Sequence, residues 1–143
     1  MSVEKMDDDE VHQFLQNHSI GTLALADDND SYAAPESFGY EDGVLYFYFV
    51  YQPESKKMEY VSKTDTAIIT IYDNELLESV IVEGELEEMK TENSLVGGTI
   101  FAEQSEFPSL DFNIELPTED HQTAFYKMEI EESTGRKFSA NLE

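Results

Sequence analysis

The chain contains no cysteine, no tryptophan, four prolines, and 8 lysines and arginines against 32 aspartates and glutamates in 143 residues. Each scarcity closes a class of function. Without cysteine there is no disulfide, no thiolate metal site and no cysteine nucleophile. So few cations cannot neutralise a phosphate backbone, and no nucleic-acid partner is expected. No stretch approaches the roughly 18 apolar residues that a membrane helix needs. The N-terminus lacks the basic-then-apolar pattern of a secretory signal. We therefore expect a cytoplasmic protein with no membrane partner. Motifs for metal or nucleophile chemistry are also missing. His12, His18 and His121 do not stand at metal-ligand spacing, and there is no HExxH. His12 reads as a surface residue and His18 as a helix-end residue. Asp27-Asp28-Asn29-Asp30 lacks the central glycine and closing glutamate of a calcium loop. Gly97-Gly98-Thr99 has no phosphate-loop context. No nucleophile elbow supports Ser/His/Asp catalysis.

What is present is apolar material and negative charge. The chain is 40% hydrophobic, with nine Phe and eight Tyr, enough for a core in one domain spanning residues 1–143. Its net charge of −24 is spread along the sequence. Such charge repels itself in dilute buffer. At ~1 M salt the Debye length falls to about 3 Å and the repulsion is screened. The composition reads as adaptation to a salt-rich cell. An acidic partner-binding face and DNA mimicry are the alternatives.

The hydrophobic pattern gives one helix and then mostly strands. Residues 7–18 form a helix, with acids in the first turn and Val11, Phe14 and Leu15 on one stripe. Residues 19–26 and 32–40 read as strands, the second made irregular or placed at an edge by Pro35. Asp42-Gly43 marks a hairpin turn. Residues 44–51 are almost wholly apolar, as in a strand covered on both faces. Residues 53–63 suit a short helix and residues 66–72 a β-branched strand. Residues 79–89 alternate as one strand, with Val80, Val82, Gly84 and Leu86 on the apolar face. Gly84 there suggests a bulge or the close approach of another backbone. Residues 91–104 suit a helix and 106–120 a loop. Residues 123–131 form a last strand with Ala124, Tyr126, Met128 and Ile130 on one face, and 133–143 read as a tail. About six short antiparallel strands point to a mainly β fold, closed or partly closed as a barrel.

Two segments carry the candidate site. Ser55, Lys56 and Lys57 place two of the few cations and a hydroxyl at the first turn of a helix, where free N–H groups favour a phosphate. A solvated lysine pair is the plain alternative. Pro35, Glu36, Ser37 and Phe38 form a strand along which a flat aromatic ligand can lie, with Phe38 giving apolar contact. An ordinary half-buried strand is the alternative there.

Taken in order, these segments resemble the pyridoxamine-phosphate-oxidase-like FMN-binding split barrels. The resemblance runs through Gly21-Thr22-Leu23-Ala24, Tyr32 to Phe38, Gly43 to Phe47, Ser55-Lys56-Lys57 and Ser79 to Gly84, and the acidity is similar to that of haloarchaeal members. It implies a six-stranded antiparallel Greek-key split barrel that forms a homodimer, with FMN at the subunit interface. Pro35, Glu36, Ser37 and Phe38 would line the ring and ribityl chain, and Val50 and Tyr51 would also touch it. Ser55, Lys56 and Lys57 would hold the phosphate, and Ser79 would reach the flavin from the partner subunit. The family's vitamin B6 oxidases carry an arginine near Pro35, a glutamine near Ser79 and a C-terminal Arg-x-His pattern. This chain has none of the three and keeps only Arg136 and Lys137 near its end. The resemblance thus implies an FMN-dependent oxidoreductase acting on an unspecified small molecule. A non-catalytic binder of flavin, haem or deazaflavin, and a structural dimer with an empty cleft, stay open beside it.

Overall fold

The computed structural model describes residues 2–90 and 122–139. In these residues strand patterning becomes ten strands and two helices. Their order is β1 (Ser2–Lys5), α1 (Asp8–Gln16), β2 (Ile20–Asp27), β3 (Asp30–Ser37), β4 (Gly39–Glu41), β5 (Val44–Tyr51), α2 (Lys56–Lys63), β6 (Ala67–Asp73), β7 (Glu78–Gly84), β8 (Leu86–Glu88), β9 (Gln122–Glu129) and β10 (Glu132–Ser139). The helix expected at 91–104, the loop at 106–120, Gly97-Gly98-Thr99 and His121 lie outside the described residues.

Every pairing is antiparallel. One sheet has six strands in the order β1-β10-β7-β6-β2-β3, and the other has four in the order β4-β5-β9-β8. Their inner faces share one core: Leu23, Ile69, Val80 and Val82 from the first sheet meet Leu45, Phe47, Phe49 and Met128 from the second. Among the described residues the sheets do not close into a complete barrel.

Local chemistry explains the elements that position the site. Helix α1 starts in a capping box. The Glu10 N–H donates to Asp7 Oδ1 at 2.8 Å and the Asp7 N–H donates to Glu10 Oε1 at 3.1 Å. Its stripe of Val11, Phe14 and Leu15 is buried, as expected. The hairpin joining β4 to β5 turns on Asp42 and Gly43, both at positive φ, the requirement of a type I′ turn. Strand β3 is the edge of its sheet, where Pro35 is tolerated.

The strand count and several boundaries differ from expectation. The segment 32–40 is two strands, because the chain leaves the six-stranded sheet at Phe38 and enters the other. There the Phe38 N–H donates to Ser19 O at 2.8 Å and the ring is wholly buried. The segment 79–89 divides in the same way at Glu85. Gly84 beside that crossing has the expected close approach, since a Cβ would lie 2.5 Å from Glu129 O. Strand β5 is not covered on both faces. Leu45, Phe47 and Phe49 are fully buried, whereas Tyr46, Tyr48 and Val50 on the other face are half-buried. The expected tail is largely β10, which lies between β1 and β7. Its polar sequence ESTGRKFS and the short SVEK of β1 hid both strands.

Candidate functional site

Three elements meet at one corner: the end of β3, the end of β5 and the start of α2. Ser55 caps α2, its Oγ accepting from the Met58 N–H at 3.2 Å, so this hydroxyl already has a structural use. The helix then projects its two lysines differently. Lys56 Nζ lies 5.8 Å from the centre of the Tyr32 ring, and Tyr32 stacks on Tyr60 at 5.6 Å. Lys56 forms no ion pair among the described residues. Lys57 turns inward. Its Nζ lies 4.9 Å from the centre of the Phe49 ring and donates to Glu36 Oε1 at 2.6 Å.

Glu36 reaches this place because β3 presents Tyr32, Ala34 and Glu36 on its inner face, in register with Leu25, Leu23 and Gly21 of β2. The Lys57 and Glu36 side chains are only 18% and 11% exposed. The other carboxylate pairs of lysine, at Lys63 and Lys137, are more open. Burial pushes the Glu36 carboxyl above the usual carboxylate range, although the Lys57 charge and hydrogen bond pull the other way. With the folded value raised, this group's contribution to stability is complete below the unfolded value. It is lost as pH rises through the folded value. Lys57 is the cation that offsets the burial of Glu36.

The other expected site residues fall in different places. Pro35 is exposed and Ser37 half-buried, both on the outer face of β3. The outer edge of β3 pairs with no strand among the described residues. Val50 is half-buried on the outer face of β5, and Tyr51 packs against the core. Phe38 does not offer its ring to a ligand in this chain, because the crossing between sheets buries it. Ser79 pairs with Tyr72 and Arg136 and is separated from β3 by β6 and β2. Three strand spacings put it roughly 14 Å away. Within one chain it does not join the corner. Phe49 and Tyr32, which support the two lysines, were not singled out from sequence. Alternation in residues 44–51 was the available signal for Phe49.

The histidines are engaged elsewhere. His18 donates from Nδ1 to Phe14 O at 2.6 Å, and its Nε2 meets Asp73 Oδ2 at 2.7 Å. The ring also stacks on Phe14 at 3.9 Å. Asp73 is held below the usual range by the backbone N–H of Leu76 and by His18. His12 is hydrogen-bonded to the Tyr40 hydroxyl. No cluster of His, Asp or Glu among the described residues is arranged to hold a metal ion.

Lys56, with no ion pair among the described residues, and the inward Lys57 thus lie beside the edge of β3. The scaffold that presents them is a split β-barrel. Residues 7–137 match the family model described as pyridoxamine 5'-phosphate oxidase, and the chain belongs to that family. Solved structures share the fold at low identity. A FAD-binding protein from Mesorhizobium loti is 23% identical, with 97% of this chain and 100% of that chain covered and a TM-score of 0.73. The FAD-binding protein from Mycobacterium smegmatis is 19% identical, covering 96% and 100%, with a TM-score of 0.70. A heme-binding protein from Mycobacterium smegmatis is 13% identical, covering 85% of this chain and 50% of that one, with a TM-score of 0.64. No curated protein matches the chain.

Proposed function

We propose that this protein is a cytoplasmic, FMN-binding homodimer that carries out redox chemistry on a small molecule in a salt-rich cell. The observation that carries the reading is the corner where Lys56 and Lys57 lie beside β3, the last strand of its sheet among the described residues. Lys56 and the first turn of α2 would hold the phosphate, and the backbone of Pro35 to Ser37 would meet the ring's polar edge. Bound there, FMN supplies the electron transfer, while the protein orients it and controls access. The reading as a vitamin B6 oxidase is not favoured, because the arginine, glutamine and Arg-x-His features are absent.

The dimer reading is supported by the outer face of the six-stranded sheet. Ile20, Tyr72 and Ile81 are 40%, 60% and 43% exposed there. Glu83 and Glu132 are the acids among that face's paired positions, and they share a hydrogen bond that raises the Glu83 carboxyl. An acid-poor apolar face on so acidic a chain suits burial against a second copy. Ser79 lies on this face, which is consistent with its reaching a partner's corner.

Purified in molar KCl, the protein is expected to show the two visible bands of oxidised flavin and the mass of a dimer. Its thermal stability should fall as KCl is withdrawn. A colourless protein that binds no added FMN would remove the flavin reading, a monomer the interface, and salt-independent stability the salt-rich setting. Lys56→Ala should weaken FMN binding by about tenfold, the value of roughly 1.4 kcal/mol in one charge-assisted contact. Unchanged affinity would remove Lys56 from the site.

A second reading is a non-catalytic flavin, deazaflavin or haem binder. It is favoured by the corner itself, where the one described carboxylate, Glu36, is taken up by Lys57. Anaerobic addition of NAD(P)H to the FMN-loaded protein separates the two. Bleaching that reverses with an acceptor supports the oxidoreductase, and an unchanged spectrum supports the binder.

A further inference from the structure

Lys57 is the feature that the flavin reading leaves unexplained. A phosphate-holding lysine is expected to be open, yet this one is mostly covered and already bonded to a carboxylate. We propose that Glu36 is a built-in competitor for Lys57, so that an anion gains this lysine only when Glu36 takes up a proton. The proposal rests on the flavin-phosphate reading of the corner and adds its regulation.

The geometry forces the exchange. Among the described residues Lys57 has one carboxylate partner, Glu36 Oε1 at 2.6 Å, and Phe49 covers it on another side. A phosphate drawn to Nζ meets the Glu36 carboxylate at the same atom, and two anions at one ammonium repel each other. Glu36 cannot simply be released as an ion. Only 11% of its side chain is exposed, and a buried carboxylate stripped of its counter-ion costs several kcal/mol. Protonation is the cheaper outcome, and burial already biases the group that way. The balance is plain: phosphate replaces carboxylate at Nζ, and one proton from solvent neutralises Glu36. The titratable groups on the packed elements are Lys56, Lys57, Glu59, Tyr60 and Lys63 on α2, Asp30 and Tyr32 on β3, Tyr46, Tyr48 and Tyr51 on β5, and Asp27 on β2. Of these, Lys57 is the charge that acts on Glu36.

The test is an FMN titration, read by flavin fluorescence, of the full chain and of Glu36→Gln between pH 5 and pH 8.5 in molar KCl. The FMN phosphate itself titrates near pH 6, so the reading is the ratio of the two affinities at each pH. The ratio should be smallest at the acid end, where the protonated fraction of Glu36 is greatest. It should rise toward about tenfold in favour of Glu36→Gln at pH 8.5, following the one-proton linkage. A ratio that does not change with pH overturns the proposal while leaving flavin binding intact. Stabilisation by inorganic phosphate, measured as the shift in melting temperature, gives a readout without flavin. If neither protein binds FMN but Glu36→Gln gains more from phosphate at high pH, the flavin reading falls and the competitor stands. If neither ligand acts on either protein, both fall. Should Glu36→Gln not fold, calorimetry of the unmodified protein at pH 7 in two buffers of different ionisation enthalpy decides. Net proton uptake beyond that of FMN supports the exchange, and its absence refutes it.

Discussion

Phe49→Ala is expected to destabilise the fold by about 3–5 kcal/mol, the range for removing a buried phenyl ring. Phe49 has no exposed surface. Its ring lies 5.8 Å from that of Phe47 and 5.2 Å from that of Tyr126, centre to centre. It also lies beneath Lys57 at 4.9 Å. The substitution therefore opens a cavity between the two sheets and removes the support that aims Lys57 at Glu36. Denaturant unfolding in molar KCl measures the first effect. A loss below about 1 kcal/mol would mean that the core collapses around the gap, at odds with the packing described. For any fraction that remains folded, FMN affinity should fall further than the stability change explains, because Lys57 loses its platform.

Gly84→Val should be nearly as damaging, by about 3 kcal/mol, the upper end of ordinary overpacking. Gly84 is the last residue of β7 before the chain crosses between sheets at Glu85. A Cβ there would sit 2.5 Å from the carbonyl oxygen of Glu129 and 2.6 Å from Met128 Cγ. The methionine side chain can move, but the carbonyl belongs to β9 and cannot shift without disturbing the pairing with β5 and β8. Gly84→Ala should fall between wild type and valine in melting temperature. Equal stability of all three proteins would show that β9 is free to move, and that the crossing is not held by this contact.

Much of the architecture was legible because the responsible signals are local. The acids in the first turn of α1, Ser55 near the start of α2, the Asp42-Gly43 turn and the Val11-Phe14-Leu15 stripe each act within a few residues. Period-two alternation placed Val80 and Val82 on an inner face correctly, whereas the nearly unbroken apolar run at 44–51 hid that only Leu45, Phe47 and Phe49 point inward. Alternation could not show which sheet a strand joins. The pattern continues across Phe38 and Glu85, because both sheets draw on the same core. Strands β1 and β10 were hidden for a different reason: they are polar, β1 is exposed throughout and β10 half-exposed, so burial leaves little trace in their composition. At the site, the lysine pair stood out in a chain with few cations. The partner of Lys57 did not, because Glu36 lies in another strand and only the folded register brings it near.

The order of strands in the larger sheet also bears on how the chain can assemble during synthesis. Strand β10 lies between β7 and β1, pairing Arg136 with both Ser79 and Lys5. Among the described residues, β1 thus has no neighbour in the sheet until β10 emerges. While the intervening residues are being added, the β7 edge waits unpaired, with Ile81 on its open face. An unpaired edge is a site for wrong association, and pairing over such sequence separation is slow. The nascent chain has to remain apart from its neighbours through that interval. Its net charge of −24 supplies a repulsion between copies for as long as the edge is open.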